Sequence, residues 1–290
     1  MVQFSYPIGW PAQTPGRGFF MRHGYAVENT WYNPNYWHTG EDWYALDGET
    51  AGAAVYAIAA GDVVYVGSDY PGRVVIVRHA DDLFSMYGHL DPAVQVAVGE
   101  MVVRQQTLGT VLRRADNVPN HLHFELRTFY ETAEVNGAQP RYPFRCGPNC
   151  APGPGYWPID APDHPSDQGW RNPTHTINSR MLAPAAAAST VITTGWPDGA
   201  LILREAPTTA AAIVGTLDVA ADTRFTLLEV HVGAEDSRAT GSTAYDLWYH
   251  LQLPAGSSGW AQAAVPSSFE TGSDRAPSSI YFTLLPLPKP

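Results

Sequence analysis

Asn120-His121-Leu122-His123-Phe124-Glu125 is the stretch on which the reading of this chain turns. Apolar Leu122, Phe124 and Leu126 alternate with polar His121, His123, Glu125 and Arg127. A period of two sends each set to its own face, so the stretch predicts a strand with both imidazoles on one side. Two rings side by side on a rigid strand offer a metal ion one ligand and leave the second ring beside it as an acid, a base or a further ligand. A half-exposed strand with two ordinary surface histidines has the same pattern, and six residues do not separate the two readings.

Upstream, from Val55 to Val111, short β-type runs follow one another: Asp62–Gly67, Arg73–Arg78 and Ala93–Val98. Gly61, Gly67, Gly72, Gly88, Gly99 and Gly109 punctuate them as turn or bulge positions, which predicts a compact antiparallel sheet. Within it, Met86-Tyr87-Gly88-His89-Leu90-Asp91 places His89 at a strand mouth before the turn at Asp91-Pro92, where its ring is chemically available. The ordinary use of His79 is a hydrogen bond to a neighbouring turn. Earlier still comes His38-Thr-Gly-Glu-Asp42, whose spacing of four brings both side chains to one face of a helix or a strand and lets them grip one ion. Gly40 and the following Trp43-Tyr44-Ala45-Leu46 favour a loop running into a strand. Residues 1–37 read as a loop crowded with aromatics, among them Trp31, Tyr32, Tyr36 and Trp37.

The bulk composition bounds the answer. The chain has 290 residues, 44% of them hydrophobic, enough for one large or two ordinary domains with buried cores. Its 25 prolines and 26 glycines favour short strands and irregular loops over bundled helices, so a mainly β protein is expected. A net charge of −11 argues against a general affinity for nucleic acid or anionic lipid. No stretch approaches the length of a membrane span, and Met1-Val-Gln-Phe-Ser-Tyr-Pro7 lacks the basic start and apolar core of an export signal. Cys146 and Cys150 read first as a local disulfide, with two free thiols or a Cys-rich metal site as alternatives, the last disfavoured because no further cysteine completes it. Lys289 is the one lysine, so a carrier with a lysine-borne swinging cofactor on a hybrid β-domain is excluded.

Beyond Arg127 the chain loosens into a Pro- and Gly-rich segment, from about 130 to 173, expected to drape over the first domain. A Pro/Ala-rich linker is expected over 183–193, around Pro184 and Ala185–Ala188. Five short runs, Ala200–Arg204, Ile213–Leu217, Thr223–Val230, Leu247–Leu253 and Gly259–Gln262, then predict a small β-barrel over 194–270, followed by a tail over 271–290.

His38-x-x-x-Asp42, Tyr87-Gly-His89-Leu and His121-Leu-His123-Phe-Glu, in this order with glycine-punctuated strands between, resemble the lysostaphin/LytM zinc metallopeptidases, peptidase family M23. The resemblance is close over about 37–127 and extends to Asn172-Pro-Thr-His175, giving a peptidase domain over 1–182. It implies one Zn²⁺ held by His38, Asp42 and His123, with His89 and His121 catalytic and Tyr32, or next Tyr36, aimed at the substrate oxyanion. It further implies a peptidoglycan endopeptidase, secreted or in the cell envelope and monomeric, that attacks with a zinc-activated water; a catalytically silent LytM-like regulatory or wall-binding protein is the alternative. Glu125, on the histidine face, orients a ring through its N–H or makes an exposed salt bridge. Leu203-Arg-Glu-Ala-Pro, Val214-Gly-Thr-Leu, Trp248-Tyr and Gly259-Trp resemble a bacterial SH3 domain, which implies a module that holds the enzyme to the wall. Relatives commonly reach the last motif through a Thr-Gly-Pro type turn; here Asn117-Val-Pro-Asn120 stands instead, so the groove wall beside the metal differs.

Overall fold

The computed structural model describes residues 4–29, 33–67, 72–115, 118–131, 155–182, 189–193, 200–220, 222–233, 245–253, 256–265 and 282–287. The mainly antiparallel β architecture expected from composition is present. Its first sheet runs Met101–Val102, Gly61–Gly67, Arg73–Arg78, Phe84–Leu90, Leu122–Arg127, Glu41–Ala45, Phe19–His23, with Trp170–Arg171 added to the far end of Leu122–Arg127. The strand Leu122–Arg127, which takes in most of the opening hexapeptide, is thus an interior strand between the one that carries His89 and the one that carries Asp42.

Leu122, Phe124 and Leu126 are fully buried and pack in one cluster with Met21, Trp43 and Tyr87. Each such side chain contributes about 1.5–3 kcal/mol by leaving water, so this face fixes the register of the strand. The polar face is buried too: His121, His123, Glu125 and Arg127 are 7%, 5%, 0% and 0% exposed. The strand is therefore covered on both sides, which removes the alternative of a half-exposed strand with two ordinary surface histidines. Over the polar face lies a three-stranded sheet of Glu28–Asn29, Asn33–His38 and Tyr156–Pro158. Its last strand comes from the Pro- and Gly-rich extension and pairs Tyr156 with His38.

Two segments of the N-terminal part differ from their sequence reading. Residues 1–37 are not simply loop, since Phe19–His23 forms the edge of the main sheet and Asn33–His38 the middle of the covering one. Conversely Ala93–Val98 forms no strand: after Pro92 the Asp91 carboxylate accepts the Ala93 N–H at 2.9 Å, an Asx turn that diverts the chain. His79 donates or accepts at Ala60 O (2.9 Å) and Ser85 Oγ (2.7 Å), a structural use of the ring.

The C-terminal strands pair in the order Ile213–Asp218, Ala200–Arg204, Ser258–Gln262, Leu247–Gln252, Arg224–Val232, Ser189–Thr193, Phe282–Leu287, Ala264–Val265. All five expected runs are strands, and the described pairings form an open path whose ends do not meet. Ser189–Thr193 and Phe282–Leu287 fall in the spans expected as linker and tail, yet their backbones pair with each other. The first is a β-branched run masked by the neighbouring alanines, and Pro286 argued against the second. This unit is not separate from the first, because Tyr245 and Ala264 are buried in the main core. The helix Pro173–Leu182, opened by Asn172 Oδ1 accepting the His175 N–H at 3.0 Å, touches both.

Candidate metal centre

Four residues stand in a row across the sheet. His23 is opposite Asp42, Asp42 opposite His123, and His123 opposite Gly88. His38 enters from the covering sheet, one tight turn before Asp42. Glycine is required at 155, whose φ of +79° lies in the left-handed region and where a Cβ would stand 3.4 Å from His123 Nε2.

At the centre three atoms converge: His38 Nε2 and His123 Nδ1 are 3.0 Å apart, His38 Nε2 and Asp42 Oδ1 3.3 Å, His123 Nδ1 and Asp42 Oδ1 3.0 Å. The outer contacts fix both tautomers. His38 Nδ1–H donates to Gly24 O at 3.1 Å, and His123 Nε2–H donates to Glu125 Oε1 at 3.1 Å. Each ring therefore turns a lone pair inward, and three acceptors face one another with no hydrogen between them. Such a cluster requires a cation, either a metal ion or an added proton. The protonation tendencies agree. Burial opposes charge on His123, but Asp42 and Glu125 pull it up to about 9, so without a metal its Nδ1 takes the proton. Burial likewise pushes the Asp42 carboxyl up, yet the facing His38 and His121 and the hydrogen bonds to His123 and His23 hold it well below the usual range.

A second metal-competent group, His23 with His38 and Asp42, shares two members with the first. The rings of this group are arranged differently. His23 and His38 are stacked 4.0 Å apart at 10°, so their in-plane lone pairs lie in nearly parallel planes and do not meet at one ion. His23 instead sets its Nδ1 3.5 Å from Asp42 Oδ2, with Nε2 at 3.3 Å from Val27 O. Burial and the neighbouring His38 push it down to about 4, so it stays neutral.

Glu125 holds the site from behind. Its Oε1 accepts from His123 and from Thr39 Oγ1 (2.9 Å), its Oε2 from Trp170 Nε1 (3.0 Å) and Arg127 Nη1 (3.3 Å). Burial raises this carboxyl, but His123, Arg127 and Trp170 bring it down to about 2. It orients a ring through its N–H; the exposed salt bridge is not found.

His121 and His89 flank the centre. His121 Nδ1–H donates to Pro119 O at 2.8 Å, leaving Nε2 as an acceptor 3.7 Å from Asp42 Oδ2. Its ring stacks on Tyr44 at 5.0 Å and meets His89 edge-on at 4.6 Å. Burial pushes His121 below its ordinary value, so it is neutral at pH 7. His89 has a φ of +60° and sits in a bulge, where Gly88 and His89 span the gap between the Leu90–Arg73 and Tyr87–Val75 pairs. Bulges beside functional sites re-aim a side chain in this way.

Of the residues singled out from sequence, His38, Asp42 and His123 are brought together, with His89, His121 and Glu125 around them. Tyr32, Cys146 and Cys150 lie outside the described residues; Tyr36 is described and half-buried on Asn33–His38. His23 and Tyr156, whose ring lies 5.4 Å from His38, were not anticipated. For His23 the cause is local. Alternation from Phe19 and Met21 assigns it to the core face, but a register shift between Met21 and His23 turns it to the face of Asp42.

Compared with known families, residues 36–137 match peptidase family M23. Cell division protein DipM of Caulobacter vibrioides is 35% identical over 78 residues, which are 26% of this chain and 13% of that protein. Lipoprotein NlpD of Yersinia enterocolitica is 33% identical over 92 residues, 29% of this chain and 86% of that protein. Among solved structures, the antimicrobial peptidase lysostaphin from Staphylococcus simulans is similar at 15% identity and a TM-score of 0.37, over 93% of this chain and 96% of that one.

Proposed function

Because this chain belongs to peptidase family M23, matched over residues 36–137 and in NlpD, we propose that it is a zinc endopeptidase that hydrolyses stem-peptide or cross-link bonds of bacterial peptidoglycan. The observation that carries the reading is the convergence of His38 Nε2, His123 Nδ1 and Asp42 Oδ1 at 3.0–3.3 Å with both tautomers fixed from outside. Three ligands at about 2.0–2.1 Å from a tetrahedral zinc stand roughly 3.3 Å apart, which matches, and a three-ligand set leaves the fourth position open. Bound there, zinc supplies Lewis acidity that acidifies water and polarises a carbonyl.

The remaining steps fall to the protein. His121, neutral and with Nε2 free of a proton, accepts one from the attacking water. His89, edge-on to His121, stabilises the charge that develops, and the protonated His121 passes its proton on to the leaving amine. Glu125 would keep the His123 lone pair turned to the metal, and His23, neutral with its Nε2–H on Val27 O, stays out of the ligand set. A peptidase unit over 1–182 and an SH3-like unit over 194–270, enlarged by strands 189–193 and 282–287, belong to the same proposal. So does a secreted or envelope location, in keeping with relatives named as a lipoprotein and a cell division protein.

The test uses the purified chain and a peptidoglycan suspension. It should contain one zinc per chain and clear the suspension, and a chelator should stop clearing. His121→Ala should keep its zinc and lose clearing; full clearing by that variant, or no zinc in the unmodified chain, overturns the reading.

A further inference from the structure

Under the strand that carries Asp42 lies a buried carboxylate that the chemistry above does not use. Glu41 is 0% exposed and, being next to Asp42 in a strand, points to the opposite, core face. Its oxygens accept from Thr174 N (3.0 Å), Thr174 Oγ1 (2.8 Å), Trp43 Nε1 (3.1 Å) and Tyr245 Oη (3.0 Å). Three of these four donors belong to the peptidase unit; Tyr245 comes from the C-terminal unit, just before the strand Leu247–Gln252.

The same hydroxyl makes a second tie. Tyr25 N–H donates to Tyr245 Oη at 2.7 Å, and Met21 Sδ lies 3.0 Å away. Tyr25 follows Gly24, whose carbonyl takes the His38 Nδ1–H and so fixes which His38 nitrogen faces inward. One phenol thus bridges two segments beside the metal ligands: Tyr25, one peptide from the Gly24 that holds His38, and Glu41, one peptide from Asp42 itself. Burial, with Glu41 beside it, pushes the Tyr245 hydroxyl well above its ordinary value, so it remains a donor.

We infer that Tyr245 is a positioning residue for His38 and Asp42, through which the C-terminal unit is built into the metal site instead of hanging from it on a tether. This rests on the metal site proposed above. A tether for wall binding needs only a flexible link, whereas a hydroxyl seated 2% exposed in the peptidase core commits the unit to one position. Metal affinity then depends on a residue more than two hundred positions from Asp42 in sequence.

The test compares the full chain with Tyr245→Phe, which keeps the ring and removes only the hydroxyl. Tyr249→Phe is the control, since the Tyr249 hydroxyl is buried with no hydrogen-bond partner among the described residues. Zinc affinity is measured by chelator competition, and ligand geometry by the visible spectrum of the Co²⁺-loaded protein. Tyr245→Phe should weaken zinc binding about tenfold, the lower end for residues that support ligands, and shift the cobalt bands; Tyr249→Phe should do neither. As a check that needs no variant, zinc should slow exchange of the Tyr25 amide hydrogen by a larger factor than that of the Tyr249 amide, because coupling between site and hydroxyl is reciprocal. If the unmodified chain binds zinc while Tyr245→Phe binds within twofold of it with the same cobalt spectrum, or while the two amides respond equally, this inference falls and the metal site stands. If the unmodified chain binds no zinc, both fall.

Discussion

Replacing Glu125 with glutamine changes one oxygen to an amide nitrogen and nothing else in shape. The carboxylate has four donors, two on each oxygen: His123 and Thr39 on Oε1, Arg127 and Trp170 on Oε2. An amide has one acceptor end, so in either orientation two donors lose their acceptor. At about 1–3 kcal/mol for each buried donor left unsatisfied, the loss is about 2–6 kcal/mol. The estimate of about 3–5 kcal/mol for removing one partner of a buried ion pair, here leaving fully buried Arg127, falls within that range. The guanidinium competes more strongly for the amide oxygen than the imidazole does. The NH₂ group then faces His123 Nε2, which must become an acceptor, and the ring's proton moves to Nδ1 where the metal is held. Zinc affinity should therefore fall towards the upper end of the 10–100-fold typical for such supporting residues. Adding Arg127→Met frees the oxygen to turn to His123 and should return part of both losses. Urea unfolding of the metal-free protein gives the stability change and chelator competition the affinity. A folded Glu125→Gln protein that binds zinc within twofold of the unmodified chain refutes the reasoning.

Acid should weaken the fold through His79, away from the metal. Burial, and less strongly Arg180, push its imidazole down to about 4 against its hydrogen bond to Ala60 O. A folded value below the unfolded one of about 6.5 means that the unfolded chain binds the proton more readily. The stabilisation is therefore complete above pH ~6.5 and is lost as pH falls towards 4, by about 3 kcal/mol at 1.36 kcal/mol per pH unit. His79→Gln should flatten this part of a pH series of urea midpoints, and an unchanged slope would exclude His79 as its source. Gly155→Ala places a Cβ at φ +79° and 3.4–3.5 Å from the His123 ring. It should lower stability by about 1–2 kcal/mol and weaken zinc binding several-fold; an affinity equal to the unmodified chain's would show that the 155 segment does not hold the ring.

What sequence could show here, and what it could not, follows from the range over which each signal acts. The period of two in His121–Arg127 needs no knowledge of the partner strands, so the shared face of His121, His123 and Glu125 was legible, as were the glycine-bounded runs of the first sheet. That the polar face is as buried as the apolar one depends on a sheet whose strand Tyr156–Pro158 comes from more than thirty residues downstream, and nothing local in the hexapeptide encodes it. His23 shows the limit most clearly. Its alternation with Phe19 and Met21 points to the core, and a single bulged residue, Arg22, reverses the result. The reversal matters for the chemistry. With it, each Asp42 oxygen lies between two histidines, Oδ1 near His38 and His123 and Oδ2 near His23 and His121. His23 stays neutral and buried, with its Nε2–H on Val27 O and an unprotonated Nδ1 towards Oδ2, while His121 keeps the one ring of the four whose inward nitrogen is neither stacked away nor turned onto the converging lone pairs. In the proposed mechanism, the division between a ring that would hold the ion and a ring that would move a proton thus comes from the outer contacts at Glu125 and Pro119, which give His123 an inward Nδ1 and His121 an inward Nε2.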